Sequence, residues 1–245
     1  MTSLLSLRGI GMSYGAVTAL REVDLDVAAG EVLALCGDNG AGKSSLVKIL
    51  AGAQAPSAGL VTLDGQAVTL RSPQDALARG IATIYQDLAV APRLSIWQNV
   101  FLGSELTRPP FGLLDKRRMA EMSRGFLERL AITIDDLDTP VERLSGGQRQ
   151  AVAICRALRW DARIVIMDEP TAALGVKETA QVLDLIRRLH AERRTVVLVS
   201  HAMPDVVAVA DRVVILKAGR KVADRPVRGL TPADLAALIM HGAPA

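Results

Sequence analysis

The stretch Gly37-Asp38-Asn39-Gly40-Ala41-Gly42-Lys43-Ser44 constrains this chain more than any other. It matches G-x-x-x-x-G-K-[ST], a phosphate-binding loop that joins a strand to a helix. The flanks agree. Val32–Cys36 is an apolar run bounded by Gly30 and Gly37, which predicts a buried strand. Leu46, Val47 and Leu50 fall at helical spacing within 45–51. Glycines let successive N–H groups turn inward around phosphate oxygens. The helix behind the loop adds about half a positive charge at its N-terminus. Lys43 is placed to reach the β- and γ-phosphates, and Ser44 offers a hydroxyl to Mg2+. A chance match in a chain this long is on the order of one in a hundred.

Two more apolar runs end in chemistry. Ile164–Met167 reads as a buried strand that stops at Asp168-Glu169-Pro170. Paired carboxylates at a buried strand end are costly unless they serve a cation or a reaction. Thr195–Val199 is a second buried strand and ends in Ser200-His201. In an open parallel sheet, ligands bind at the carboxyl ends of the strands. The three strand ends therefore predict a nucleoside triphosphatase site. Asp168 would hold magnesium, Glu169 would take a proton from attacking water, and His201 would bond the γ-phosphate.

The remaining chain frames that site. Leu4–Met12, Val23–Val27, Leu60–Leu63, Ile81–Tyr85, Arg212–Leu216 and Lys221–Asp224 read as strands. Ser72-Pro73 opens a helix, and Lys177–Glu192 and Thr231–Met240 are further helices. Residues 88–141 read as a mainly helical insert. Ser95 caps a short helix, and Asp115–Leu130 forms a longer one with Met119, Met122, Phe126, Leu127 and Leu130 inward. Lys116-Arg117-Arg118 reads as a solvated helix face. Leu144-Ser145-Gly146-Gly147-Gln148 begins a helix to about Arg159, with Ser145 as N-cap and N–H groups suited to phosphate. Tyr14 either stacks on a purine or packs within its own turn, and Gln86 sits at a strand end. His190 and His241 are expected to be exposed on helices.

Composition excludes several classes. The formal charge of +3 and pI of about 9.1 are a mild basic excess, and only 3% of residues are aromatic, against a single-strand nucleic-acid surface. Half the residues are apolar, yet no run approaches the ~18 needed for a membrane helix. The N-terminus lacks a signal-peptide pattern. Cys36 and Cys155 lie in apolar runs and are expected buried and reduced.

The order of these motifs resembles the ATP-binding subunit of an ABC transporter, from about Leu4 to Asp224. The resemblance implies an α/β fold: a phosphate-loop ATPase core with a mainly parallel sheet, an antiparallel β subdomain and a helical subdomain. It implies one domain over 1–245, with the helical subdomain inserted at about 88–160. Leu144–Gln148 is similar to the signature motif of that family. The resemblance makes Tyr14 the adenine-stacking aromatic and assigns ATP to Gly37, Asp38, Asn39, Gly40, Ala41, Gly42, Lys43, Ser44 and Ser45. Ser145, Gly146, Gly147 and Gln148 would contact the ATP of a second copy, since the family pairs two domains head to tail. Ser44, Gln86 and Asp168 would hold Mg2+, and Glu169, His201 and Lys43 would be catalytic.

One position departs from the pattern. After Glu169-Pro170-Thr171-Ala172, where the family usually reads Ala-Leu-Asp, this chain has Ala173-Leu174-Gly175. The stretches Ala172–Glu178, Gly37–Gly40 and Tyr85–Leu88 resemble importers of simple sugars such as ribose, xylose and fructose. That implies a homodimer at the cytoplasmic face of the membrane, an integral permease, an indirect sugar-binding protein and no nucleic acid. Transport of another substrate, a soluble ATPase acting on DNA or ribosomes, and a nucleotide-gated clamp with poor hydrolysis are the alternatives. Residues 87–143 are too few for the long coiled-coil arm that would favour the soluble class.

Overall fold

The computed structural model describes residues 3–172 and 174–241, the last without its side chain. The expected exposure of His241, and Ala173 of the departing stretch, thus lie outside the described residues. Strands β1 (Ser3–Tyr14) and β2 (Val17–Ala28) form an antiparallel pair. Val23, Leu25 and Val27 are buried while Asp24 and Asp26 face water, as the alternation requires. Strand β3 (Val32–Cys36) leads through the glycine loop into helix α1 (Lys43–Leu50). Strands β4 (Ala58–Leu63) and β5 (Gln66–Val68) complete a four-stranded antiparallel sheet in the order β2-β1-β4-β5.

Helix α2 (Pro73–Ala78) starts where Ser72 accepts from the Asp75 N–H. Strand β6 (Ile81–Ile84) and helix α3 (Ile96–Phe101) follow, the helix opened by a Ser95–Gln98 capping box. A hairpin of β7 (Thr107–Arg108) and β8 (Leu113–Leu114) then precedes α4 (Lys116–Arg129). Helix α5 (Gly146–Arg159), strand β9 (Ile164–Asp168), helix α6 (Val176–Ala191) and strand β10 (Thr195–Val199) come next. Helix α7 (Met203–Val209), strands β11 (Arg212–Lys217) and β12 (Arg220–Pro226), and helix α8 (Pro232–His241) close the chain.

The second sheet has the order β12-β11-β3-β10-β9-β6, with only β12 antiparallel to its neighbour. Apart from Thr195 and Asp168 at their ends, the central strands β3, β10 and β9 are apolar because both faces are covered. Val197, Val199, Ile164 and Ile166 face a core shared with the antiparallel sheet and α1. Val196, Leu198, Val165 and Met167 face the core formed by α3 to α6. Each such side chain contributes roughly 1.5–3 kcal/mol by burial. Both cysteines are buried and free.

Four details differ from the sequence reading. Met122 is exposed rather than inward: the buried stripe of α4 and its cap runs through Met119, Ser123, Leu127 and Leu130, and Met122 lies one position off it. The β7–β8 hairpin and α7 carry too few residues to show a period. His190 is half-buried, with Nε2 3.3 Å from the Asp211 carboxylate.

Candidate active site

Parallel pairing puts four strand ends on one edge. Val199 of β10 pairs with Leu35 of β3 on one side and with Asp168 of β9 on the other. Ile84 of β6 pairs with Met167, so Tyr85 and Gln86 continue beside Asp168 and Glu169. The phosphate loop, the two carboxylates, His201 and Gln86 are thereby gathered along the carboxyl edge.

The loop is shaped by close approach. A Cβ on Gly37, whose φ is +147°, would stand 2.2 Å from the Leu216 carbonyl oxygen. A Cβ on Gly42, φ +106°, would stand 2.6 Å from Leu20 Cδ2 and 2.7 Å from the Ala19 carbonyl oxygen. Only glycine lets the loop pass so near β2 and β11. The turn between β11 and β12 clamps it further: Gly219 donates to the Ala41 carbonyl at 3.1 Å, and Arg21 donates to the Gly219 carbonyl at 2.8 Å.

Helix α1 starts without a side-chain cap and without an acidic residue in its first turn. Its first N–H groups therefore remain for an external anion. Lys43 Nζ donates to the carbonyls of Gly37 at 2.6 Å and Asp38 at 3.0 Å, which folds the ammonium back over the loop. Ser44 is exposed at the helix start. These features fit a polyphosphate.

Asp168 is half-buried, and burial raises its carboxyl above the usual range; the neighbouring Glu169 charge adds to this and Lys43 opposes it. Burial also pushes the Cys36 thiol up to about 12, with Lys43 opposing and Glu169 adding. Lys43 and Glu169 thus act on both Asp168 and Cys36. A divalent cation would relieve the strained Asp168. Mg2+ needs only one or two carboxylates when waters and phosphate oxygens complete its shell. Asp168 with the Ser44 hydroxyl fits that requirement, although no group of three His, Cys, Asp or Glu side chains converges among the described residues.

Glu169 adopts a left-handed backbone, φ +52°, fixed by its N–H donating to the Val199 carbonyl at 2.9 Å. Its Oε2 lies 2.5 Å from His201 Nδ1. His201 is largely exposed and Glu169 mostly covered, so the imidazole closes over the carboxylate from the solvent side. His201, expected to bond the γ-phosphate, pairs with Glu169 in this structure. Gln86 is exposed just beyond β6. Tyr85, expected at the end of a strand, lies just past β6 and is half-buried; burial raises its phenol, and the Asp168 charge adds to that.

Two predicted site elements bond to other parts of the fold. Tyr14 ends β1, with its hydroxyl donating to Gln54 Oε1 at 2.7 Å and the residue 40% exposed. Ser145–Gln148 is bonded to its own helix start and to α6. Ser145 Oγ accepts from the Gln148 N–H, and Gln148 Oε1 accepts from the Ser145 N–H. Gly146 donates to Glu178 Oε1 at 2.8 Å. Gly146 and Gly147 are both buried.

Residues 20–172 match the ABC transporter family profile. The chain belongs to the ABC transporter family. It is an ABC ATPase, and it binds ATP. It is 45% identical to the fructose import ATP-binding protein FrcA of Rhizobium meliloti, over 96% of this chain and 93% of that one. It is 46% identical to the xylose/arabinose import ATP-binding protein XylG of Sulfolobus acidocaldarius, over 90% of this chain and 87% of that one. Other relatives are longer: it spans 47% of a ribose import ATP-binding protein, RbsA 2 of Escherichia coli O157:H7, at 40% identity.

Among solved structures, a dimeric ATP-binding cassette in a post-hydrolysis state with ADP and phosphate superposes with a TM-score of 0.76 at 26% identity. That match covers 92% of this chain and 100% of the other. A second cassette, at 22% identity, shares the fold with a TM-score of 0.83 over 98% of this chain and 96% of its own.

This ABC ATPase also carries a groove of about 340 Å³ beside the site. Tyr85, Leu88, Ala89, Leu102, Arg156 and Trp160 are among its lining residues. Arg156 donates to the Ala89 carbonyl at 3.2 Å, which ties the loop after Gln86 to α5. Arg159 lies against Phe101 and Trp160, 5.2 and 4.2 Å from their rings, and donates to the Val100 carbonyl.

Proposed function

We propose that this ABC ATPase powers uptake of a monosaccharide through a separate integral permease, from the cytoplasmic face of the membrane. A sugar-binding protein would deliver the substrate to that permease. The fructose and xylose/arabinose import names of the relatives matched over nearly their whole length support this reading. No helix among the described residues is long and apolar enough to cross a membrane, so a partner must supply the channel. The groove lined by Leu88 and Trp160 is apolar and adjoins the site through Tyr85, which suits a permease loop.

The His201–Glu169 contact beside Asp168 carries the catalytic reading. Gly37 to Ser45 would cradle the phosphates, with Lys43 leaving the loop carbonyls to meet the β- and γ-oxygens. Ser44, Asp168 and Gln86 would hold Mg2+, which when bound neutralises charge on the phosphate oxygens. Glu169 would accept the proton of the attacking water, and His201 would orient that carboxylate and then bond the γ-phosphate. Tyr14 would stack on adenine. Residues 1–245 would act as one domain with the helical subdomain at about 88–160. Ser145–Gln148 would close on the ATP of a second copy, because their present bonds lead to α6 and not to their own phosphate loop.

The test is uptake of labelled pentoses and hexoses into vesicles holding the chain with its permease. ATP-dependent uptake of at least one sugar, lost on Lys43→Ala, is expected. ATP hydrolysis that no monosaccharide stimulates, with no uptake, would refute the substrate class.

A further inference from the structure

The glycines of Ser145–Gln148 are seated on α6. A Cβ on Gly146 would stand 2.5 Å from Leu174 Cδ2, and one on Gly147 would stand 2.5 Å from Gln181 Oε1. Leu174 and Gly175 leave the turn that starts at Glu169: Ala172 donates to the Glu169 carbonyl at 3.1 Å and Leu174 to the Thr171 carbonyl at 3.3 Å. Gly175 is the N-cap of α6 and has no side chain with which to cap it.

Glu178, one turn into α6, joins these pieces. Its Oε2 accepts from the Gly175 N–H at 3.2 Å, and its Oε1 accepts from the Gly146 N–H at 2.8 Å. Those two bonds, the Gly146 bond foremost, hold its carboxyl below the usual carboxylate range. The first bond is the glutamate half of a capping box, made from the third helical position with no side chain at the N-cap to return it. The second is not needed for capping α6. It spans 32 residues and fixes the first N–H of α5. One carboxylate therefore bridges the start of α5 and the end of the turn that leaves Glu169.

We propose that Glu178 is a positioning residue: it sets the start of α5, and so the Ser145–Gln148 segment, against the turn carrying Glu169. This rests on the reading of Ser145–Gln148 as the segment that meets a second copy's ATP. Glu178 does not touch nucleotide. It holds two halves of the machinery in one geometry, so that one copy's signature and its own catalytic turn move together.

The test compares ATP turnover and thermal midpoint in the full chain for three variants. Glu178→Ala loses both bonds. Turnover at saturating ATP should fall about tenfold, in line with losing a hydrogen bond to a charged group. The midpoint should fall as well. Adding Gly175→Ser supplies a side-chain cap to α6 at a position where a Cβ meets only the Glu178 oxygen at 3.9 Å. The double variant should recover the midpoint and leave turnover low. Glu178→Gln has one acceptor oxygen in place of two, keeps the fold, and should lose about threefold in turnover, since the net worth of one neutral bond is small.

Wild-type turnover in Glu178→Ala or Glu178→Gln would overturn the proposal. A rise in turnover would do the same, since it would make the carboxylate an obstruction. Recovery of turnover together with the midpoint in the double variant would reduce Glu178 to a helix cap. Ser145→Arg, measured alongside, separates the underlying reading: if it too leaves turnover unchanged, the signature assignment fails and not Glu178 alone.

Discussion

Glu169→Gln isolates the proton-accepting step from the architecture that holds it. The amide has the size of the carboxylate and keeps an atom within reach of His201 Nδ1, now 2.5 Å from Oε2. The left-handed backbone at residue 169 costs about 1–2 kcal/mol, but it costs both proteins equally and cancels. Lost proton acceptance should slow turnover roughly 100- to 10,000-fold. That range is about 2.7–5.4 kcal/mol of barrier.

The same change acts on stability through Asp168. Its carboxyl is raised in the fold by burial first and by the Glu169 charge second. The native state therefore binds more protons than the unfolded chain from just above pH 3.8 up to the raised value, and stability falls as pH rises through that window. Above it, the native state carries the full cost of an ionised Asp168. Removing the Glu169 charge removes part of that cost. The lost pairing with His201, 70% exposed, is worth at most about 1 kcal/mol. Without nucleotide, the variant should thus be at least as stable as wild type at neutral pH and gain less on acidification. Phosphate release measures the first effect and thermal midpoints from pH 4 to 8 the second. Turnover within threefold of wild type would remove Glu169 from the chemistry. A clearly lower midpoint at neutral pH would refute the electrostatic account of Asp168.

Lys43→Ala should weaken ATP binding and turnover by a hundredfold or more in the product, since a charge-assisted phosphate contact is lost; equilibrium binding and phosphate release report it. Crosslinkers placed at Leu88 and Trp160 should capture a permease loop in the assembled transporter, and crosslinks arising only from α8 would refute the groove as the docking face. Lys43→Ala and Ser145→Arg proteins should each be inactive alone, yet regain part of their turnover when mixed, because one site of a mixed dimer joins two intact halves. Absence of mixed dimers in ATP would remove the two-copy site.

Local motifs were legible because their chemistry is written in adjacent residues. Gly37–Ser45 reads as a phosphate loop once a strand precedes it and a helix follows. Ser72, Ser95 and Ser145 cap helices as their residue type predicts. Contacts across the fold were hidden for the opposite reason. The bond from Gly146 to Glu178 joins two helix starts that no period or spacing relates. Tyr85 looked like one more strand residue, and its place near Asp168 follows only from β6 pairing with β9. Met122 misled because a hydrophobic residue one step off a stripe still satisfies an approximate helical spacing.

Strand order was the larger omission, and it decides the site. Continuous apolar runs show that β3, β9 and β10 are covered on both faces, but any order of the three would satisfy them. Only with β10 between β3 and β9 does Val199 meet both Leu35 and Asp168. The β9–β10 pairing lets the Val199 carbonyl hold the Glu169 N–H, and the order of the three strands sends His201 out between the glycine loop and Glu169. Had β9 lain next to β3, Glu169 would adjoin the loop and His201 would stand one strand further away. The 2.5 Å contact between His201 and Glu169 needs only that β9 and β10 be neighbours; the crossover order decides instead that His201 stands beside the loop, which the composition of the strands alone does not require.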